Sequence, residues 1–175
     1  MSKYILGIQG WANHDSGACM IKYSNKKPEI IAISEERLLR KKFTYNFPLL
    51  SILYCMDYFK INSLKKVDLI VSDWARQESW LRNAPGYNYQ MFDYIKEKLN
   101  FDKKKIVPIR HHLGHAASAY YASDFKDSAI LVVDGNGSDI ETTSFYSAKN
   151  RNINLIENYK NHGIGAAYTA VTNNI

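Results

Sequence analysis

One order of elements occurs twice in this chain, and that repetition limits the fold more than any single motif does. Residues 4–8, 17–23 and 29–34 read as three short strands, the last two joined by the turn Ser24-Asn25-Lys26-Lys27-Pro28. Residues 129–133, 142–148 and 153–159 spell the same succession. Between the triplets, residues 47–60 read as an amphipathic helix, with Pro48 near its first turn and apolar side chains at 49, 50, 52, 53, 56 and 59. Residues 67–72 form a short buried strand, and 87–99 a second amphipathic helix with Met91, Ile95 and Leu99 on one side. Residues 106–109 form a strand that leads into a small-residue helix at 112–122, and 164–171 is helical again. Strands joined by a few residues pair antiparallel, whereas strands separated by a helix return parallel. The pattern predicts an α/β fold in two parts: a lobe with a mixed five-stranded sheet over residues 1–125, and the opening of a second lobe over 126–175.

A duplicated three-stranded meander with crossover helices resembles the actin-like, sugar-kinase and heat-shock ATPase superfamily, whose two lobes are ribonuclease-H-like. In that superfamily a nucleotide lies between the lobes, its phosphates over the two strand-loop-strand turns. Composition agrees with a folded globular chain, because 175 residues bury a proper core. The net charge of +6 is carried by scattered or paired lysines such as Lys26-Lys27, Lys41-Lys42, Lys65-Lys66 and Lys103-Lys104-Lys105. A nucleic-acid binder gathers its basic residues on one face beside stacking aromatics. No such stripe is visible, so no nucleic-acid partner is expected. Cys19 and Cys55 lie in apolar segments and read as small core residues in a reducing compartment. The apolar run at 4–8 is too short for a signal peptide, and nothing approaches the roughly 20 apolar residues of a membrane span. A cytoplasmic protein without membrane attachment is the expectation.

The chemistry concentrates in His111-His112-Leu113-Gly114-His115-Ala116-Ala117 and in Asp134-Gly135-Asn136-Gly137-Ser138-Asp139. His111 and His115 are four apart, so on a helix they share a face and can share one cation. Asp134 ends a strand and supplies a carboxylate for that cation. The competing reading has His111 and His112 capping the helix while His115 packs in the core. His112 points elsewhere on the helix and reads as structural. The Gly135-Asn136-Gly137 backbone can form a nest of N–H groups for phosphate, or a tight two-residue hairpin built on Asn-Gly. Asn13-His14-Asp15-Ser16-Gly17 occupies the equivalent loop after the first strand. There His14 can act as a general base with a neighbouring carboxylate setting its tautomer. Arg40-Lys41-Lys42 suits a phosphate or carboxylate, or is a solvated basic turn.

These residues, taken in order, resemble a known family. Leu6-Gly7-Ile8, His14-Asp15-Ser16-Gly17-Ala18, Glu35-Glu36-Arg37, Arg40-Lys41-Lys42 and Phe47-Pro48 follow the N-terminal region of the O-carbamoyltransferases, which include nodulation-factor and antibiotic-tailoring enzymes. The likeness continues through His111 to Ala119, Val133-Asp134-Gly135-Asn136-Gly137 and Gly165 to Thr172. It covers nearly the whole chain and extends, more distantly, to the tRNA threonylcarbamoyladenosine transferase. The resemblance implies an actin-like transferase domain that passes a carbamoyl group from carbamoyl-adenylate to a hydroxyl of a small acceptor, a sugar or an antibiotic-like molecule. A separate domain would make the adenylate from carbamoyl phosphate and ATP. It further implies an iron-type divalent metal held by His111, His115 and Asp134, acceptor activation by His14, and contact of Lys42 with the acyl-adenylate or its phosphate. Asn13, Asp15, Gly135, Asn136 and Gly137 would line the substrate or nucleotide site.

The same resemblance places the rest of the second lobe, a further metal-binding aspartate and the adenylate-forming domain beyond Ile175. On that reading the chain is a piece of a longer enzyme that alone binds metal weakly and does not turn over; a homodimer is compatible with it. Three other classes stay open: a sugar-kinase or ATPase-like nucleotide-binding domain, a relative of the tRNA threonylcarbamoyl transferase, and a non-catalytic interaction module. The acceptor-selecting residues are expected in the Trp-, Arg- and Tyr-containing stretch 73–88.

Overall fold

A computed structural model describes residues 2–9, 15–24, 27–44, 46–72, 100–160 and 163–173. The described residues form two compact units, one ending at Pro108 and one starting at Ile109. In the first unit, β1 (Lys3–Gln9), β2 (Gly17–Tyr23), β3 (Glu29–Ser34), β4 (Leu69–Ser72) and β5 (Ile106–Pro108) make one sheet in the order β3-β2-β1-β4-β5. β1 pairs antiparallel with β2, and β2 with β3, while β1–β4 and β4–β5 are parallel. This is the mixed five-stranded sheet the sequence predicts. Alternation along the strands sends Leu6, Ile8, Ala18 and Met20 into a common core.

A helix the sequence reading missed, α1 (Glu35–Leu39), follows β3 directly, and α2 (Leu49–Tyr58) packs on β2 and β3. Ile52, Cys55 and Met56 supply its buried stripe at helical spacing. Each large apolar side chain buried this way contributes about 1.5–3 kcal/mol. The helix stops in a left-handed residue, Lys60 (φ 54°), as the Lys60 and Ile61 amides donate to the Asp57 and Met56 carbonyls. Its N-terminus has no cap from Pro48. Instead Glu35, buried at 2% exposure, accepts from the Leu50 amide (3.1 Å), the Ser51 amide (2.7 Å) and the Ser51 hydroxyl (2.6 Å).

Both cysteines are free thiols, Cys55 fully buried and Cys19 half-buried. Burial pushes the Cys55 thiol up to about 11, so it stays protonated in mildly alkaline solution. Alkylation of the native chain at pH 8 is expected to leave Cys55 unmodified until denaturant is added. Peptide mass spectrometry checks this, and rapid native labelling of Cys55 would refute it.

The second unit holds α3 (His111–Ala122), the meander β6 (Asp127–Val133), β7 (Glu141–Lys149) and β8 (Asn152–Lys160), and α4 (Ile164–Thr172). α3 lies on β6 and β7, where Ala116, Val132 and Tyr146 form the core with Leu113, Ile130 and Ile153 around them. The units therefore divide at 108/109, whereas the sequence pattern divides the chain at 125/126. The reason is packing: His112, Ala116 and Tyr120 form the buried stripe of α3. The helix expected at 87–99, the acceptor stretch 73–88, Asn13 and His14 lie outside the described residues. No helix among the described residues is long and apolar enough to cross a membrane.

Candidate metal centre

α3 begins where the polar loop 134–140 between β6 and β7 meets it. The loop is longer than the two-residue Asn-Gly hairpin weighed from the sequence, since the β6–β7 pairing reaches Val133 opposite Thr143 and leaves 134–140 outside the strands. Its course is fixed by its own bonds. The Asp134 amide donates to the Thr142 carbonyl (2.9 Å), the Gly137 amide to the Glu141 carbonyl (2.6 Å), and the Asp139 amide to the Glu141 carboxylate. Ile140 is held at φ 67°, a left-handed conformation that costs a β-branched residue roughly 1–3 kcal/mol and persists only where the surroundings enforce it. Ser138 reaches α3, its hydroxyl accepting from the His111 amide at 2.8 Å and satisfying one open N–H of the helix start. Gly137 lets the loop lie on the helix: a Cβ there would stand 2.8 Å from Cδ2 of His112 and still closer to the Glu141 carboxylate.

This docking brings together the three residues the sequence singled out. His111 Nε2 lies 2.9 Å from Asp134 Oδ2, His115 Nε2 lies 3.4 Å from it, and the two Nε2 atoms are 3.0 Å apart. The second carboxylate oxygen of Asp134 accepts from the Gly135 amide at 2.6 Å, which orients the group and leaves Oδ2 for the histidines. Donors about 2.1 Å from an ion lie roughly 3 Å apart on adjacent octahedral corners and about 3.4 Å apart on tetrahedral ones. The three donor atoms, all within 4.8 Å of one another, have that spacing. Hydrogen bonding alone fits it less well. Each Nε2 carries at most one proton and an ionised carboxylate none, so at most two of the three contacts can be hydrogen bonds. One cation satisfies all three donors, and two imidazoles with one carboxylate are a donor set for iron-type and zinc-type ions. His115 is half exposed, so the reading that packs it in the core does not hold.

His112 stands apart from the three donors, as the sequence reading has it. It is fully buried, as a structural histidine would be, yet its Nε2 faces the same carboxylate, 4.0 Å from Asp134 Oδ2. Nδ1 pairs with the Ser144 hydroxyl at 2.7 Å, while Nε2 has no hydrogen-bond partner. Burial pushes this imidazole below its ordinary range and keeps it neutral; Glu141 and Asp134 oppose that, and His111 and His115 reinforce it. One step away, Arg110 pairs with buried Asp139 at 3.4 Å. Ser138, Asp139, Glu141 and Ser144 carried no signal beyond strand alternation and turn composition: Ser138 and Ser144 take partners from α3, Asp139 pairs with Arg110 just before it, and Glu141 holds the loop's own Asp139 amide.

The remaining expected residues fall elsewhere. Asp15 is exposed with left-handed backbone (φ 70°). Asn136 is exposed, and the amides of Gly135 and Gly137 that a phosphate nest would use are already engaged. In the first unit Lys42 pairs with Glu36 at 3.1 Å. Both line a depression of about 300 Å³ with Arg37, Arg40 and Lys41.

The family described as carbamoyltransferase N-terminus matches residues 80–175. Among curated proteins, the chain is 32% identical over 198 residues to the uncharacterized protein sll1178 of Synechocystis, taking in 97% of this chain and 31% of that protein. It is 30% identical to the nodulation protein NolNO of Sinorhizobium fredii, over 71% of this chain and 20% of that protein. The uncharacterized MJ1051 of Methanocaldococcus jannaschii is 27% identical over 96% of this chain and 29% of its own length. The chain thus spans less than a third of these relatives. Among solved structures, YeaZ from Pseudomonas aeruginosa superposes with a TM-score of 0.51 at 11% identity, covering 89% of this chain and 64% of that one. At that identity the likeness bears on the fold, which is the ribonuclease-H-like α/β lobe.

Proposed function

The chain belongs to the carbamoyltransferase N-terminus family, and on that footing we propose that it is the metal-holding part of an O-carbamoyltransferase that uses carbamoyl-adenylate. The observation that carries this reading is the convergence of His111, His115 and Asp134 on one point. A carbamoyl carbonyl is a poor electrophile because amide resonance stabilises it, so charge must be supplied where its oxyanion develops. A divalent ion, iron by the resemblance, supplies that charge as a Lewis acid. His111, His115 and Asp134 would hold it, with the Gly135 amide keeping the Asp134 carboxylate oriented. In the transfer the bond from the carbamoyl carbon to the adenylate phosphate oxygen breaks and one to the acceptor oxygen forms. The acceptor proton passes to a base, the role proposed for His14, and AMP departs as a stabilised anion. Lys42 and its basic neighbours take the phosphate, with Asn13, Asp15 and Asn136 as further contacts to substrate.

The test uses the whole enzyme that carries this sequence, supplied with carbamoyl phosphate, ATP, ferrous iron and a panel of sugars and other hydroxylated metabolites. Mass spectrometry should find an acceptor heavier by one carbamoyl group, together with AMP. A phosphorylated acceptor with ADP would replace this reading by a kinase, and an unmodified panel with no metal bound would leave an interaction module. The isolated chain is expected to bind the ion weakly and to give no product.

A further inference from the structure

The His112 ring is fully buried, and one of its nitrogens is without a partner. A buried polar atom left unpaired is costly enough that native proteins seldom keep one without a use. Two observations indicate the use. First, Ser144 pairs with Nδ1 at 2.7 Å. A Ser144 hydroxyl that donates to Nδ1 places the imidazole proton on Nε2, the nitrogen turned toward the Asp134 carboxylate. Second, Nε2 faces Asp134 Oδ2 across 4.0 Å, too far for a hydrogen bond and too near for an intervening water.

Without a cation the Asp134 carboxylate has His111 and His115 beside it as donors, at 2.9 Å and 3.4 Å. To ligate an ion, both imidazoles must present bare nitrogens, so they stop donating. The carboxylate then needs another donor, and His112 offers one from the buried side. We propose that His112, with its tautomer set by Ser144, is a positioning residue whose Nε2–H closes on Asp134 and fixes the carboxylate when a divalent cation is bound. This rests on the metal reading of His111, His115 and Asp134 and adds a donor that does not touch the ion.

The test is a titration of the chain with Co(II) alone, followed by its visible absorption, beside thermal unfolding without metal. His112→Leu fills a similar volume and removes the donor. It should lose about 10–100-fold in Co(II) affinity, the range for a lost partner of a metal ligand, while still unfolding cooperatively without metal. His112→Gln, which returns an N–H to the same place, should recover most of the loss. Should His112→Leu fail to fold, Ser144→Ala, which keeps the ring but frees its tautomer, must still weaken binding. Co(II) affinity within threefold of the unaltered chain for the folded variant, or equal losses in the Leu and Gln variants, overturns the proposal. An unaltered chain that takes up no Co(II) overturns the metal reading itself, and this inference with it.

Discussion

A chain carrying His111→Ala and His115→Ala together is expected to lose at least about 100-fold in affinity for a divalent cation, since changes one shell further out already cost about 10–100-fold. The reason is the donor count. The site has two imidazoles and one carboxylate within 4.8 Å, and Asp134 alone is an ordinary partly exposed carboxylate. Asp134→Asn is expected to fall between, because an amide oxygen can still accept from Gly135 but brings no charge to the ion. The fold should survive these changes. His111 and His115 stand beside the buried stripe of α3, not in it, and alanine is the best helix former. Removing the rings also separates polar atoms that cannot all be hydrogen-bonded at once. Isothermal titration with Co(II) or Fe(II), with circular dichroism as the folding control, measures both. A double variant that binds within tenfold of the unaltered chain would remove the basis for the site.

The second large effect is on stability and lies far along the sequence from the metal ligands. Glu35→Ala should destabilise the first unit by about 3 kcal/mol, as expected for deleting a buried carboxylate with charge-assisted hydrogen bonds. Glu35 serves as the cap that Pro48 cannot give to α2, binding the Leu50 and Ser51 amides and the Ser51 hydroxyl. Its negative charge at the positive end of the helix offsets part of the cost of burying it. Alanine would strand the Ser51 amide and hydroxyl in a fully buried place. For a chain of this length the loss corresponds to roughly 6–12 °C in melting temperature. Glu35→Gln should cost less, since its carbonyl keeps some of the bonds while its amide opposes the remaining donor. Calorimetry decides, and a Glu35→Ala chain that melts within 2 °C of the unaltered one would show that α2 does not depend on this cap.

Glu35 also shows how a motif and its purpose come apart. Glu35-Glu36-Arg37 stood out in the sequence as part of a family resemblance, with no hint that adjacent glutamates have different tasks. In the structure Glu35 turns inward to α2, and Glu36 turns outward to Lys42. Adjacent positions on a helix differ by about 100° in direction, and which of the two meets a neighbouring element is settled by that neighbour.

By itself the sequence determined the succession of strands and helices among the described residues except α1, the antiparallel meanders, and the pairing of His111 with His115 on one helix face. These follow from periodicities of 2 and 3.6 and from connection length, which local chemistry writes directly into the chain. It also marked Asp134 as a carboxylate at a strand end. Only the tertiary structure decided that the 134–140 loop lies across the start of α3, so that Asp134 reaches His111 and Ser138 meets its amide. The same packing buried His112 against Ser144 and assigned α3 to the second unit. Such contacts join residues many positions apart, and their energy comes from burial and polar satisfaction, which exist only once both partners are packed.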